Sequence, residues 1–287
     1  MFIKPENKNE WLKLRAEDIT STEVAALFGC SPYITLFELW HRKKNKTIVE
    51  LEENDRMKWG IRLQDTIAAG IAEDKNWKIR RINSYARDPE LKLGASFDFG
   101  IGADGILEVK NVDGLVFKDG WIVDGENVEA PPHIELQVQQ QLLVSGRQYA
   151  YIGALVGGNR IVMIRRVPDE KVFSAIKSAA ERFWCSVASG IAPDPDFKRD
   201  AEFICQLYNQ ASAGKVMDGN TEEMHTLATE YEKYRLMEKE GKEGKASTKA
   251  QIYMKIEDTE RVKADGFTIT AGLDKNQTRV FRILWRK

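Results

Sequence analysis

Two acidic residues and a lysine in the middle of the chain have types and a spacing suited to metal-assisted chemistry. Asp98 ends the segment 94–98, and Glu108 and Lys110 lie in the segment 104–110. Side chains two residues apart on a β-strand share one face, so Glu108 and Lys110 are predicted to point the same way. If the two segments pair as a hairpin, the carboxylate of Asp98 lies beside Glu108. Two carboxylates and a backbone carbonyl suit Mg²⁺, and a neighbouring lysine can orient a water molecule.

A second polar segment strengthens this hypothesis. On spacing alone, an acidic and a basic residue two apart on a strand are most often solvated charges. Residues 134–142, however, have the pattern of a helix that carries Gln139, Gln140 and Gln141. Neutral amides can hydrogen-bond a water, a phosphate or a base without competing for a metal. The alternative is a helix whose solvent face merely consists of glutamine.

The elements that must position these residues follow from hydrophobic periodicity and turn residues. A helix, a turn and a short helix are predicted within residues 10–29. Further helices are predicted at about 36–43, 55–74, 133–145 and 168–189. Strands are predicted at 77–82, 93–97, 105–110, 148–156 and 160–167. This order predicts an α/β (α+β) fold in which helices flank a central mixed β-sheet.

The sequence changes character after Gly190, where residues 193–196 read Pro-Asp-Pro-Asp. We therefore predict a core domain at 1–195 and a C-terminal extension at 196–287. In the extension we expect a charged helix at about 221–239, a break at Gly241–Gly244, a second helix from 247, and two strands. No role is assigned to this region.

Composition excludes several classes of protein. The chain has 43 Lys plus Arg and 44 Asp plus Glu, so any DNA binding requires basic residues gathered on one surface. Candidates are Arg42, Lys43, Lys44 and Lys46, although a run of solvated charges is the more common explanation for such a cluster. With three cysteines and three histidines at scattered positions, a four-cysteine cluster or a histidine zinc site is disfavoured. Neither an apolar span nor an apolar signal core is evident, which predicts a cytoplasmic protein without membrane contact.

Four pieces of sequence together resemble the lambda exonuclease / YqaJ-type viral recombinase family of PD-(D/E)XK nucleases, over about residues 8–195. They are Trp11–Arg15 with Ile19–Glu23 and Gly29–Tyr33; Met57–Gly60 with Leu63–Asp65; Asp98 with Leu107–Lys110; and Gln137–Gln139 with Gln141–Leu142.

The resemblance implies a restriction-endonuclease-like core and a processive, metal-dependent 5′→3′ exonuclease in the bacterial host cell, acting on double-stranded DNA ends. Such an enzyme leaves a 3′ single strand for a phage-type single-strand annealing protein. The family also implies a homo-oligomer, namely a trimeric ring that threads DNA.

The resemblance further implies roles for particular residues. Asp98, Glu108 and the backbone carbonyl of Val109 would hold Mg²⁺, with Mn²⁺ as a second candidate. Lys110 would position the water, and Gln139 would complete the site.

Arg15 and Thr22 would grip the 5′-phosphate, a task that suits a guanidinium. Gln64, Asp65, Gln137 and Ser21 are additional candidates for the site. Gln64 stands where the family usually has glutamate, so either the metal site is less anionic or Asp65 substitutes.

Two alternatives remain open at this point. A related nuclease of the same fold could act on a different end or cut internally. A non-catalytic DNA-end-binding protein on the same fold is also conceivable because of Gln64. Asp98, Glu108 and Lys110 argue against it, since carboxylates repel phosphate and a pure binder does not need them.

Overall fold

A computed structural model describes residues 1–49, 54–125 and 127–286 of the chain. Two compact units are present, Met1–Gln210 and Ala211–Lys287. The division into an exonuclease core at 1–195 and an extension at 196–287 stays a prediction, because compactness does not define a functional domain. Among the helices that the structure describes, none is both long enough and apolar enough to cross a lipid bilayer.

The helices of the first unit are α1 (Lys8–Glu17), a 3₁₀ helix (Val24–Phe28), α2 (Leu36–Lys44), α3 (Asp55–Lys75), α4 (Gly114–Gly120), α5 (Pro132–Ser145), α6 (Glu170–Ser189) and α7 (Ala201–Leu207). Its strands are β1 (Phe2–Ile3), β2 (Ile19–Thr20), β3 (Ile79–Arg81), β4 (Tyr85–Asp88), β5 (Leu93–Ala95), β6 (Phe99–Ile101), β7 (Gly105–Val112), β8 (Ile122–Asp124), β9 (Asn127–Glu129), β10 (Tyr149–Val156) and β11 (Arg160–Arg166).

The central sheet has the strand order β11-β10-β7-β6-β3. β7 pairs in parallel with β10, with Glu108 opposite Ile152, whereas the other neighbours pair antiparallel. The parallel pair requires a crossover, which α5 provides. The predicted mixed sheet flanked by helices is therefore confirmed.

Strand β7 lies between two hydrophobic layers, one on each face of the central sheet. Ile106 packs with Val138 and Leu142 of α5 on one face, while Leu107 packs with Ile67 and Ile71 of α3 on the other. Because side chains alternate along a strand, the even-numbered residues of β7 face α5. Glu108 and Lys110 thus project toward α5, on one face as predicted, and Val109 faces the α3 layer.

A smaller sheet of order β1-β4-β5-β2 lies beside the central one. It corrects our hairpin prediction, because β5 pairs with β4 and β2 and not with β7. The chain leaves this sheet after Ala95 and enters the central sheet at Phe99. Gly94 is required in β5, since a Cβ there would lie 1.8 Å from the hydroxyl of Tyr85.

The second unit contains the 35-residue helix α8 (Glu222–Ile256) and the strands β12 (Arg261–Ala264), β13 (Phe267–Thr270) and β14 (Arg282–Trp285). The predicted break at Gly241–Gly244 is wrong, because α8 runs through both glycines. Each glycine costs a helix only about 1 kcal/mol. Good helix formers surround them, and ion pairs such as Glu238–Lys242 support the same turns. The three strands form one sheet where we expected two strands.

Candidate active site

Asp98 and Glu108 come together where the β6–β7 ladder ends. The last pair in that ladder is Phe99 with Leu107, so one step further Asp98 stands opposite Glu108. The carboxylate of Asp98 accepts a hydrogen bond from the backbone N–H of Val109 at 2.8 Å. This bond takes the place of the next rung of the ladder. The predicted proximity is therefore present, although it comes from a different partner strand.

The side chain of Glu108 is only 3% exposed, and its carboxylate accepts hydrogen bonds from three side chains. Lys110 Nζ donates to its Oε1 at 2.7 Å, and Gln137 Nε2 donates to the same oxygen at 2.5 Å. Gln141 Nε2 donates to Oε2 at 2.7 Å. Gln137 also accepts from Lys110 Nζ at 3.1 Å. The carboxylate is thus fixed in orientation by one cation and two neutral amides.

The electrostatics of the pair depend on burial. Desolvation, followed by the negative charge of Glu108, raises the pKa of Asp98. Lys110, the N–H of Val109 and Arg81 partly oppose this rise. Burial lowers the pKa of Lys110, but the charges of Glu108 and Asp98 outweigh it, and the net pKa is raised. Lys110 is therefore a cation at neutral pH. The two carboxyl groups beside it repel each other when both are ionised.

The oxygen donors at this point fit a hard divalent ion. Asp98 and Glu108 supply carboxylates, and the N–H and C=O of one strand residue point to the same side, so the Val109 carbonyl faces the side of Asp98. Over the described ranges, no group of three or more His, Cys, Asp or Glu side chains is arranged so that it could hold a metal ion. Mg²⁺ suits such a sparse set, because it keeps several waters and binds substrate phosphate through its remaining positions.

Gln139 does not join this group, which corrects our prediction for it. Its Nε2 donates to the carbonyl of Val167 at 3.0 Å, and its Oε1 accepts from the N–H of Asp169 at 3.1 Å. A step of two residues turns a helix by about 200°, so Gln139 faces away from the side that carries Gln137 and Gln141. Gln141 was missed as a site residue; its i,i+4 spacing from Gln137 is the signal that identifies it.

Gln64 and Asp65 both contact one arginine. Arg81 Nη1 donates to Gln64 Oε1 at 3.1 Å, and its Nη2 pairs with Asp65. The same guanidinium lies 4.9 Å from the centre of the Phe99 ring. Because the guanidinium has two terminal nitrogens that donate in different directions, it contacts two consecutive residues of α3, which lie about 100° apart around the helix axis. Both candidates thus reach the Asp98 region through Arg81.

Arg15 and Thr22 lie together, as the resemblance implies. Arg15 Nη2 is 3.4 Å from Thr22 Oγ1, and its guanidinium stacks 4.6 Å from the Trp11 ring centre. Ser21 is buried, and its N–H donates to the carbonyl of Gly94 at 2.9 Å. Ser21 therefore anchors this segment to β5 through its backbone.

Lys43 lies beneath Arg15, so of the candidates for a basic surface, Arg42, Lys43, Lys44 and Lys46, Lys43 is not available to DNA. It is 5% exposed, and its Nζ donates to Glu23 at 2.8 Å and to the Arg15 carbonyl at 2.7 Å. Burial raises the pKa of Glu23, but the charges of Lys43 and Arg15 outweigh it and leave the pKa lowered. Lys43 thus acts inside the protein, as a support for the Arg15 segment.

Comparison with known proteins gives a consistent result. The model of the YqaJ-like viral recombinase domain matches residues 10–148. YqaJ of Bacillus subtilis strain 168 is 29% identical over 218 residues, which are 74% of this chain and 67% of that protein.

Solved structures share the fold. The alkaline exonuclease LHK-Exo of Laribacter hongkongensis, solved alone and with dAMP, superposes with a TM-score of 0.50 at 18% identity, over 69% of this chain and 100% of that one. A candidate exonuclease from Eubacterium rectale gives 0.50 at 9% identity, over 74% of this chain and 96% of that one. Asp98, Glu108, Lys110 and the glutamines that hold Glu108 all lie within residues 10–148, the segment that matches the YqaJ-like viral recombinase domain.

Proposed function

We propose that this protein is a divalent-metal-dependent exonuclease that digests linear double-stranded DNA in the 5′→3′ direction and leaves 3′ single-stranded overhangs. One observation carries the proposal. Asp98 and Glu108 meet at the end of a strand pair, with the Lys110 ammonium 2.7 Å from Glu108. Carboxylates that face each other in a buried position cost folding energy, which a purely structural role does not explain.

Asp98, Glu108 and the Val109 carbonyl would hold Mg²⁺ or Mn²⁺. When bound, the ion supplies an activated water and neutralises charge on the scissile phosphate. Lys110 would orient that water and stabilise negative charge that develops on the phosphate. Gln137 and Gln141 keep Glu108 in one orientation, and as neutral groups they do not compete with it for the metal.

The pairing of Arg15 with Thr22 supports an end-specific reaction. Both side chains offer donors to an anion, and a guanidinium makes paired hydrogen bonds to phosphate oxygens. The buried Lys43 beneath them fixes the backbone of Arg15 at 2.7 Å. A 5′-phosphate held there would set which strand enters the site, and hence the polarity.

A basic groove supports DNA as the substrate. A cavity of about 470 Å³ is lined by the cations Lys4, Arg80, Arg81 and Arg147 and by the uncharged residues Phe2, Ile82, Asn83 and Ser84. Arg81 links this groove to the candidate site, since its charge acts on Asp98. Although the net charge of the chain is −1, positive charge is gathered where a phosphate backbone can use it.

The relatives support the wider setting. LHK-Exo has been solved with dAMP, a mononucleotide of the kind that an exonuclease releases. By family likeness we further propose a ring-shaped trimer, a phage-type annealing protein as partner, and action in the cytoplasm of a bacterial host.

The test is time-resolved digestion of an end-labelled linear duplex with Mg²⁺. We expect shortening from 5′ ends, and its loss in Glu108→Gln and Lys110→Met with DNA binding retained. Glu181→Gln and Lys177→Met, at exposed positions of α6, are matched controls. Cleavage of closed circular DNA would instead indicate an endonuclease.

A second candidate function is non-catalytic binding of DNA ends. It is favoured by Gln64, which brings no charge and accepts from Arg81, and by the commitment of Glu108 to three protein donors. Tight binding of duplex ends without hydrolysis in Mg²⁺ or Mn²⁺ would support this function over the first.

A further inference from the structure

A tyrosine at the edge of the candidate site is unusually exposed and firmly held. Tyr33 is 78% exposed. Its loop is braced from below, because Ser31 Oγ accepts from the N–H groups of Tyr33 and Ile34 at 3.2 Å each. Arg199 Nη2 in turn donates to the Ser31 carbonyl at 2.6 Å. The backbone that carries the ring is therefore held in place, while the ring itself is exposed to solvent at a cost in exposed apolar surface.

The ring of Tyr33 is connected to the carboxylate pair through α5. It contacts His133 edge-on, with ring centres 5.7 Å apart. His133 lies four residues before Gln137, which lies four before Gln141, so the three share one face of the helix. Gln137 touches both Lys110 and Glu108. Tyr33 and His133 are thus one helical turn beyond the residues that hold Glu108.

The histidine serves as an aromatic support. Burial, and then the nearby charge of Lys110, lower the pKa of His133, so its imidazole is neutral at neutral pH. A neutral ring does not attract phosphate, but it packs well against the edge of a tyrosine. The pair therefore offers a flat aromatic face beside a phosphate site.

We propose that Tyr33, supported by His133, stacks on the terminal nucleobase of the strand whose phosphate lies at Asp98 and Glu108. This inference rests on the proposed function and names how the end of the substrate is held. Every base has a π-face, so stacking tolerates any sequence, as an enzyme that digests whole strands requires. The contact would hold each new end while its phosphate is positioned.

The test compares duplex ends that differ only in the terminal base. One duplex carries 2-aminopurine at the terminal position of the digested strand, and the other carries an abasic residue there; both are bound with Ca²⁺ in place of Mg²⁺. We expect the wild-type protein to bind the base-containing end roughly tenfold more tightly, with quenched fluorescence. Tyr33→Ala should abolish this ratio, whereas Tyr33→Phe and Tyr33→Trp should keep it. Tyr208→Ala, at a tyrosine that is 73% exposed, is the matched control.

The outcomes separate this inference from the proposed function. If Tyr33→Ala keeps the preference for the base, or changes the oligomeric state instead, stacking is refuted. If wild-type protein shows no preference but digests DNA, the inference fails while the exonuclease stands. If the preference depends on Tyr33 but no metal supports hydrolysis, the exonuclease fails and the base contact stands.

Discussion

The glutamines of α5 allow a test of the candidate site, because Gln137 and Gln139 have the same side chain but different hydrogen-bonding partners. We expect Gln137→Met to impair the candidate site and Gln139→Met to spare it. Methionine keeps the length and flexibility of glutamine and removes the amide. Gln137 donates to Glu108 at 2.5 Å and accepts from Lys110 at 3.1 Å, whereas Gln139 contacts only the connection between β11 and α6 among its hydrogen-bonding partners that the structure describes.

The magnitude follows from those contacts. A hydrogen bond to a charged group contributes about 1.5–3 kcal/mol, which corresponds to a loss of roughly tenfold to a hundredfold in metal affinity or turnover for Gln137→Met. Gln139→Met leaves the Val167 carbonyl and the Asp169 N–H without their partner. It should therefore cost about 1–3 kcal/mol of folding stability and change turnover by less than about threefold.

The assay is Mg²⁺-dependent digestion of an end-labelled duplex, with the free energy of unfolding measured in denaturant for both variants. Gln140→Met is unsuited as a control, since Gln140 ties the helix to β2 and β5. If Gln139→Met loses turnover as strongly as Gln137→Met while both stay folded, our assignment of the helix face is refuted.

Four further predictions follow from individual contacts. Because burial beside Glu108 raises the pKa of Asp98, Mg²⁺ must displace a proton, and its affinity should fall by up to about tenfold per unit as the pH drops below neutrality; a pH-independent affinity by calorimetry would contradict this. Lys43→Met should destabilise the fold by about 3–5 kcal/mol in denaturant unfolding, and adding Glu23→Gln should restore part of the loss. Arg80→Ala should lower the slope of log affinity against log salt by about 1, and an unchanged slope would remove Arg80 from the DNA path. Arg15→Ala should erase any preference for 5′-phosphorylated over 5′-hydroxyl duplex, and a preserved preference would refute the phosphate grip.

Strand β7, which carries Glu108 and Lys110, could be predicted from sequence, but its partner could not. Glu108 and Lys110 alternate with apolar residues, so β7 and its faces follow from the period-two pattern. The partner strand is Phe99–Ile101, which is three residues long, and β2 is two residues long. Such short strands carry too little alternation to be recognised, and we therefore assigned the pairing to residues 93–97.

The i,i+4 spacing of Gln137 and Gln141 puts these two residues on one face of α5, but the sequence does not show that this face meets Glu108. Gln139, Gln140 and Gln141 are identical in type, so a run of them contains no information about helix phase. The structure supplies the phase, because Val138 and Leu142 point into the core that contains Ile106. The prediction of a break in α8 was wrong for the opposite reason. Two glycines gave a clear signal, but the helix stability that they cost is small compared with what the long run of helix formers around them contributes.

The amides of α5 also have a consequence for the construction of chimeric proteins from this fold. Gln140 donates to the carbonyls of Ile19 and Gly94, while Gln141 donates to Glu108. Adjacent side chains of one helix thus bind the small sheet and strand β7 of the central sheet. If β6 and β7 alone were replaced, Gln141 would face a carboxylate from another protein at a distance that it does not fit. If the N-terminal segment were replaced instead, Gln140 would lose the carbonyl of Ile19 as its acceptor. The smallest exchangeable block is therefore the helix together with both sheets that it joins.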